Sequence, residues 1–228
     1  MQHLLLLHGA IGSSEQLKSL AECLQADFTV YTFDFPGHGG KESNSGFSIE
    51  FFADSVLQFL KEKEINSVSI FGYSMGGYVA MYLAKYHPEV IDNVITLATK
   101  FEWNESIAAK EIKMLQPDVI EAKLPAFAET LQQRHSPLNW KAVLRNTADM
   151  LQNLGKNNTL RIENYSTITT PALIMIGDRD KMVTIEETIA VYKQLPAAQL
   201  AILPSTPHPI EQVNVEYLAY GLKKFILR

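Results

Sequence analysis

The chain has a single cysteine, Cys23, among its 228 residues, so no internal disulfide can form. A lone thiol in an amphipathic stretch reads as a packed side chain, and such sparse cysteine usage favours a reducing, cytoplasmic setting. There is no excess of positive charge either: 20 Lys and Arg stand against 25 Asp and Glu, a formal net charge of −5, with no block of like charge along the chain. A face that attracts phosphate backbones is therefore not expected, which argues against nucleic acid as a partner. Long hydrophobic runs are missing as well. The apolar stretch Leu4 to Leu7 is far too short to cross a bilayer, and it lacks a preceding basic segment and a following small-residue cleavage site, so it reads as a buried strand. Repeats, low-complexity tracts and clusters of His, Cys and carboxylates with metal-ligand spacing are absent too.

What is present suffices for a full-sized core: 46% of residues are hydrophobic and 20% charged, over a length that suits one domain carrying an insertion. Apolar runs at 3–7, 28–33, 68–71, 94–98, 172–176 and 200–203 have the composition of parallel strands covered on both faces. Helix-like stretches lie between them at 15–24, 49–63, 75–87, 185–195 and 213–226, with Phe52, Val56 and Leu60 sharing one face of the second. This alternation predicts an α/β protein with a mostly parallel, doubly wound sheet of about six strands. The alternation lapses between 101 and 165, where helix-like segments around 106–115, 119–134 and 138–154 follow one another, punctuated by Pro117, Pro125, Pro137 and Gly155. Helices inserted after one strand of such a sheet are expected to cap the carboxyl ends of the strands. The expected organisation is thus a core of 1–100 and 166–228 with a helical cap of 101–165.

Chemistry concentrates at Gly72-Tyr73-Ser74-Met75-Gly76-Gly77, between the run 68–71 and the helix-like stretch that ends at His87-Pro88. A serine on a tight strand-to-helix turn needs a positive φ, and its neighbours two positions away must be nearly free of side chain for strand and helix to close up. Because a serine hydroxyl is a weak nucleophile at neutral pH, Ser74 requires a base, and that base an orienting carboxylate. In this architecture the acid and then the histidine follow the serine along the chain. The run 172–176 ends in Gly177-Asp178-Arg179-Asp180, from which Asp180 is selected as the acid and Asp178 as a turn former or helix cap. Of the six histidines, only His208 follows Asp180, on a loop stiffened by Pro204, Pro207 and Pro209, and it is selected as the base. His3 reads as a strand-end residue, His87 as a helix C-terminal one, and His135 as part of the cap surface. Two backbone donors are expected to face the developing oxyanion: the N–H of Met75, at the positive end of the helix, and that of Ala10, after His8-Gly9.

Taken together, His8-Gly9-Ala10, Asp34-Phe35-Pro36-Gly37-His38-Gly39, the Ser74 motif, Gly177-Asp178-Arg179-Asp180 with Val183, and His208 resemble the successive motifs of the α/β-hydrolase superfamily over essentially the whole chain. The resemblance implies that 34–39 is a structural loop and that His38 is not catalytic. It also implies a trimmed sheet, since the early strands of many relatives are missing, and Pro207 replaces the glycine that usually precedes the histidine. The chain is similar, too, to the menaquinone-pathway lyases of that superfamily, which eliminate pyruvate and usually carry an arginine directly after the paired glycines. Here that position is Tyr78, which weakens the expectation of a polyanionic substrate. The leading expectation is a serine esterase acting on a small or medium acyl ester without metal or organic cofactor. The alternatives are a C–C bond lyase and a non-catalytic ligand sensor on the same fold. Among Phe101, Trp103, Phe127 and Trp140, Trp103 is the first candidate for substrate contact.

Overall fold

The computed structural model describes residues 1–227. Four consecutive leucines set the architecture at the start. In β1 (Gln2–Leu7), Leu4 and Leu6 enter one apolar cluster and Leu5 and Leu7 the other, and all four are fully buried, so both faces of the sheet are covered. The chain continues through α1 (Lys18–Leu24), β2 (Phe28–Phe33), α2 (Ile49–Glu62), β3 (Val68–Tyr73), α3 (Met75–Tyr86) and β4 (Ile91–Leu97). Four helices follow without a strand between them: α4 (Glu105–Ile112), α5 (Pro117–Lys123), α6 (Pro125–His135) and α7 (Trp140–Lys156). Then come β5 (Ala172–Gly177), α8 (Ile185–Gln194), β6 (Ala198–Leu203) and α9 (Val215–Ile226).

The six strands form one sheet in the order β2-β1-β3-β4-β5-β6, with every neighbouring pair parallel. One layer is built by α1 and α9 through Leu20, Leu24, Leu218 and Leu222, joined by Leu17 just ahead of α1. The other is built by α2, α3 and α8 through Phe52, Val56, Leu60, Val79, Leu83 and Val191. Strand order reverses between β1 and β3, so the chain leaves these two neighbours on opposite sides and a crevice opens above their carboxyl ends.

Local chemistry starts the helices where the sequence offers a side-chain acceptor. Ser48, Asn104, Thr184 and Asn214 accept from the backbone N–H of Phe51, Ile107, Glu187 and Tyr217 respectively, as N-caps do. The segment 119–134, expected as one helix, is divided. Pro125 has no N–H to donate and forces Leu124 out of helical geometry (φ −134°, ψ 58°), so α5 ends and α6 begins there.

Tyr78 shows how the inserted helices rejoin the sheet. Its hydroxyl donates to Asn158 Oδ1 (2.6 Å) and accepts from the N–H of Leu160 (2.9 Å), pinning the stretch after α7 onto α3. Tyr78→Phe removes both hydroxyl bonds, leaves the Leu160 N–H only its longer contact with Asn158 Oδ1 (3.3 Å), and is expected to destabilise the fold by about 1–3 kcal/mol, seen as a lower urea midpoint at unchanged slope. An unshifted midpoint would contradict this role.

Candidate active site

Ser74 occupies the junction of β3 and α3 at φ 51°, ψ −116°, a conformation L-residues rarely adopt. Its backbone is held from β4 and the residues just after it: the Ser74 N–H donates to Leu97 O (2.9 Å) and the Thr99 hydroxyl donates to Ser74 O (3.1 Å). The turn tolerates almost no side chain around it. A Cβ on Gly76 would lie 2.5 Å from Leu7 O, and one on Gly72 would strike the backbone of Gly76. These clearances bring the N-terminus of α3 directly against the end of β1.

Asp180 and His208 come from the loops after β5 and β6. The His208 ring donates through Nδ1 to Asp180 Oδ2 at 2.8 Å, which leaves Nε2 as the free lone pair, and the Asp180 side chain is only 1% exposed. The second oxygen, Oδ1, accepts the N–H groups of Met182 (2.8 Å) and Val183 (2.9 Å). Burial alone would raise the Asp180 pKa, but the His208 hydrogen bond and these N–H groups outweigh it, and the carboxyl sits below its ordinary value. Asp178 is engaged elsewhere, its Oδ1 accepting the Thr206 N–H (3.1 Å) and so tying the two loops together. Tyr73, which stands in the Ser74 motif with no role assigned to it from sequence, donates its hydroxyl to His208 O (3.0 Å) and lays its ring beside the imidazole, with centroids 5.5 Å apart. Ser74 and His208 both line one cavity, and the Ser74 hydroxyl is uncommitted among the described residues.

The loop after β1 is a tight turn in which Gly12 N–H donates to Gly9 O (3.1 Å) and His8 Nδ1–H donates to the same oxygen (2.7 Å). Gly9 O and Ala10 N–H belong to one trans peptide and point in opposite directions. Fixing the carbonyl inward therefore aims the Ala10 N–H outward, where Ala10 lines the cavity with Met75. Met75 is the first residue of α3, so its N–H has no acceptor within the helix.

The cavity measures about 360 Å³ and is mostly apolar, with Trp103, Met114, Phe127, Met150 and Leu154 from the inserted region on its walls. Phe101 and Trp140 are buried elsewhere: Phe101 packs edge-on against Tyr165 and Trp140 belongs to a cluster among the inserted helices. Two cations front the cavity and both are paired. Lys100 lies 3.6 Å from Glu111 and donates to Met182 O (2.6 Å), while Arg134 lies 3.3 Å from Glu211.

His135 is not on the surface, contrary to the expectation from sequence; it is fully buried. Its Nδ1 accepts the Gly39 N–H (3.2 Å) and its Nε2–H donates to Ile11 O (3.1 Å), partners 96 and 124 residues away along the chain. With His8 and His38 it forms a row of imidazoles behind the loop after β1, with centroids 5.1 and 5.8 Å apart. His38 is buried against Phe47 and lies outside the cavity wall, and Asp34 accepts from the Ser14 N–H and hydroxyl (both 2.7 Å), so 34–39 braces the neighbouring turn. Burial lowers His8 and His135 to about 4 and His38 well below its ordinary value, and all three are neutral near neutrality.

Comparison with known proteins identifies the fold family. Residues 2–135 match the family model described as the alpha/beta hydrolase fold, and the chain belongs to that family. It is 27% identical over 227 residues to the pimeloyl-[acyl-carrier protein] methyl ester esterase of Vibrio parahaemolyticus, covering 90% of this chain and 86% of that protein. Among solved structures it superposes on MenH from S. aureus with a TM-score of 0.81 at 20% identity, covering 99% and 93% of the two chains. A thermophilic esterase from Thermogutta terrifontis gives 0.79 at 19% identity, covering 100% and 90%.

The buried histidines make stability depend on pH. The folded values of His8 and His135, about 4, lie below the ordinary 6.5 and His38 is lowered in the same direction, so below 6.5 the unfolded chain binds more protons and stability falls as pH falls. The melting temperature is expected to drop steadily from pH 6.5 to 4, by on the order of 2 kcal/mol per ring in stability, and the fall should be shallower in His135→Gln. A melting temperature that stays level across this window would contradict the burial of neutral rings.

Proposed function

We propose that this α/β hydrolase is a serine esterase that cleaves small or medium acyl esters through an acyl-enzyme, with 101–165 acting as the cap over the acyl pocket. The observation that carries the reading is the 2.8 Å His208–Asp180 hydrogen bond opening onto the same cavity as the strained Ser74. Ser74 Oγ attacks the acyl carbon while His208 Nε2 takes its proton, and Asp180 stabilises the imidazolium that results. Negative charge gathers on the former carbonyl oxygen, where the Ala10 and Met75 N–H groups receive it. The imidazolium then gives its proton to the departing alcohol. A water molecule, deprotonated by the same ring, hydrolyses the acyl-enzyme and restores Ser74.

Cavity charge favours a neutral acyl group over a polyanion. Lys100 and Arg134 are both paired with carboxylates, and Tyr78 spends its hydroxyl on Asn158 and Leu160, so neither cation stands ready as a carboxylate clamp. This argues for ester hydrolysis over the pyruvate-eliminating alternative. The esterase named for the Vibrio relative points the same way. Trp103, whose indole donates to Lys100 O (3.2 Å), is the proposed wall for the acyl chain.

The test is turnover of p-nitrophenyl esters of graded chain length alongside labelling with a fluorophosphonate. Ser74→Ala should abolish labelling and cut kcat by roughly 10⁴-fold or more, and Asp180→Asn by roughly 10³- to 10⁴-fold. Asp178→Asn should leave turnover largely intact. Labelling that persists in Ser74→Ala, or a reversed order of the two aspartates, would overturn these assignments.

A further inference from the structure

Ile11 follows the candidate oxyanion donor and adopts φ 52°, a left-handed conformation that a β-branched residue holds only when its surroundings impose it. The imposing groups come from the inserted helices. At the C-terminus of α6, Arg134 Nη1 (3.1 Å) and His135 Nε2 (3.1 Å) both donate to Ile11 O, and the Ile11 side chain packs against the cluster of Ile120, Leu131 and Trp140. Arg134 extends further: its Nη2 reaches Glu211 Oε1 (3.3 Å), three residues past His208, and Gln16 Nε2 donates to the same oxygen (2.5 Å). On its other edge His135 accepts the Gly39 N–H. Two adjacent side chains of α6 thus grip the loop after β1, the loop after β2 and the loop that carries His208.

The grip has a chemical consequence, because the left-handed Ile11 is what lets Gly12 N–H turn back onto Gly9 O. That hydrogen bond holds the Gly9 carbonyl inward and so directs the Ala10 N–H outward. We propose that Arg134 and His135 are positioning residues: by clamping the Ile11 carbonyl they hold the Gly9–Gly12 turn in the form that aims the Ala10 N–H at the oxyanion, so the oxyanion hole is complete only while α6 is docked. This inference rests on the esterase reading. Neither residue touches the reacting atoms in it.

The two ring nitrogens of His135 can be separated by substitution. A glutamine amide nitrogen overlies Nε2, so His135→Gln keeps a donor for Ile11 O. An asparagine oxygen overlies Nδ1, so His135→Asn keeps an acceptor for Gly39 N–H and loses the donor. With p-nitrophenyl butyrate, His135→Asn is expected to lose roughly ten- to hundredfold in kcat at nearly constant KM, as a misaimed catalytic group does. Affinity for phenylboronic acid, whose serine adduct places an oxygen in the oxyanion hole, should fall in parallel. His135→Gln should recover most of both losses. Arg134→Met removes the other donor to Ile11 O and should lower kcat and boronate affinity in the same direction, which keeps the test open if His135→Asn fails to fold. Unchanged kcat and boronate affinity in His135→Asn and Arg134→Met, or equal losses in the Gln and Asn variants, would overturn the clamp. Wild-type turnover that does not depend on Ser74 would instead overturn the esterase reading, and the clamp with it.

Discussion

The backbone of Ser74 is the constraint on which the site depends. A residue at φ 51° costs on the order of 1–3 kcal/mol and persists only where neighbours over-determine it. Here Leu97 and Thr99 hold its N–H and carbonyl, and Gly76 lies flush against the end of β1. The same close approach brings the N-terminus of α3 beside the loop after β1. Ala10 and Met75, the candidate donors, come from segments more than sixty residues apart and thereby line one cavity, in the crevice where strand order reverses. Strain at one residue and juxtaposition of two donors have a single steric origin.

Around this junction the polar groups are arranged so that few are left free to move. Asp180 commits one oxygen to His208 and the other to two backbone N–H groups, so the carboxylate is fixed and the ring it holds is oriented. Behind the loop after β1, His8 and His135 use both ring nitrogens on backbone partners, which selects one tautomer and resists protonation. Lys100 and Arg134 bring charge to the cavity wall together with carboxylates that offset it. The result is a largely apolar chamber with rigid, directional polar groups at one end. Such a chamber suits an acyl group whose charge develops only during reaction.

Much of this is legible along the chain because it is local. The leucine run 4–7 and the glycines around Ser74 each act within a few positions, and the corresponding elements follow. Boundaries are less legible: β4 begins at Ile91 and β6 at Ala198, ahead of the apolar runs, because pairing extends strands past the residues that signal them. Pro125 is visible as punctuation, yet the division of 119–134 into two helices depends on Leu124 leaving helical geometry. The largest departures are Tyr73, Arg134 and His135. Their partners, His208, Ile11, Glu211 and Gly39, lie tens to more than a hundred residues away, and no spacing rule links them. A histidine at the polar end of an amphipathic helix reads as surface until another loop covers it.

The central claim is that Ser74 carries the acyl group during turnover. Mixing the protein with p-nitrophenyl butyrate, quenching in acid within the first turnovers and mapping peptides by mass spectrometry tests it directly. The account predicts a butyryl mass increment on the peptide containing Ser74, formed in step with the first equivalent of p-nitrophenolate and absent in Ser74→Ala. Turnover accompanied by an unmodified Ser74 peptide, or by a butyryl group on another residue that is needed for activity, would contradict it.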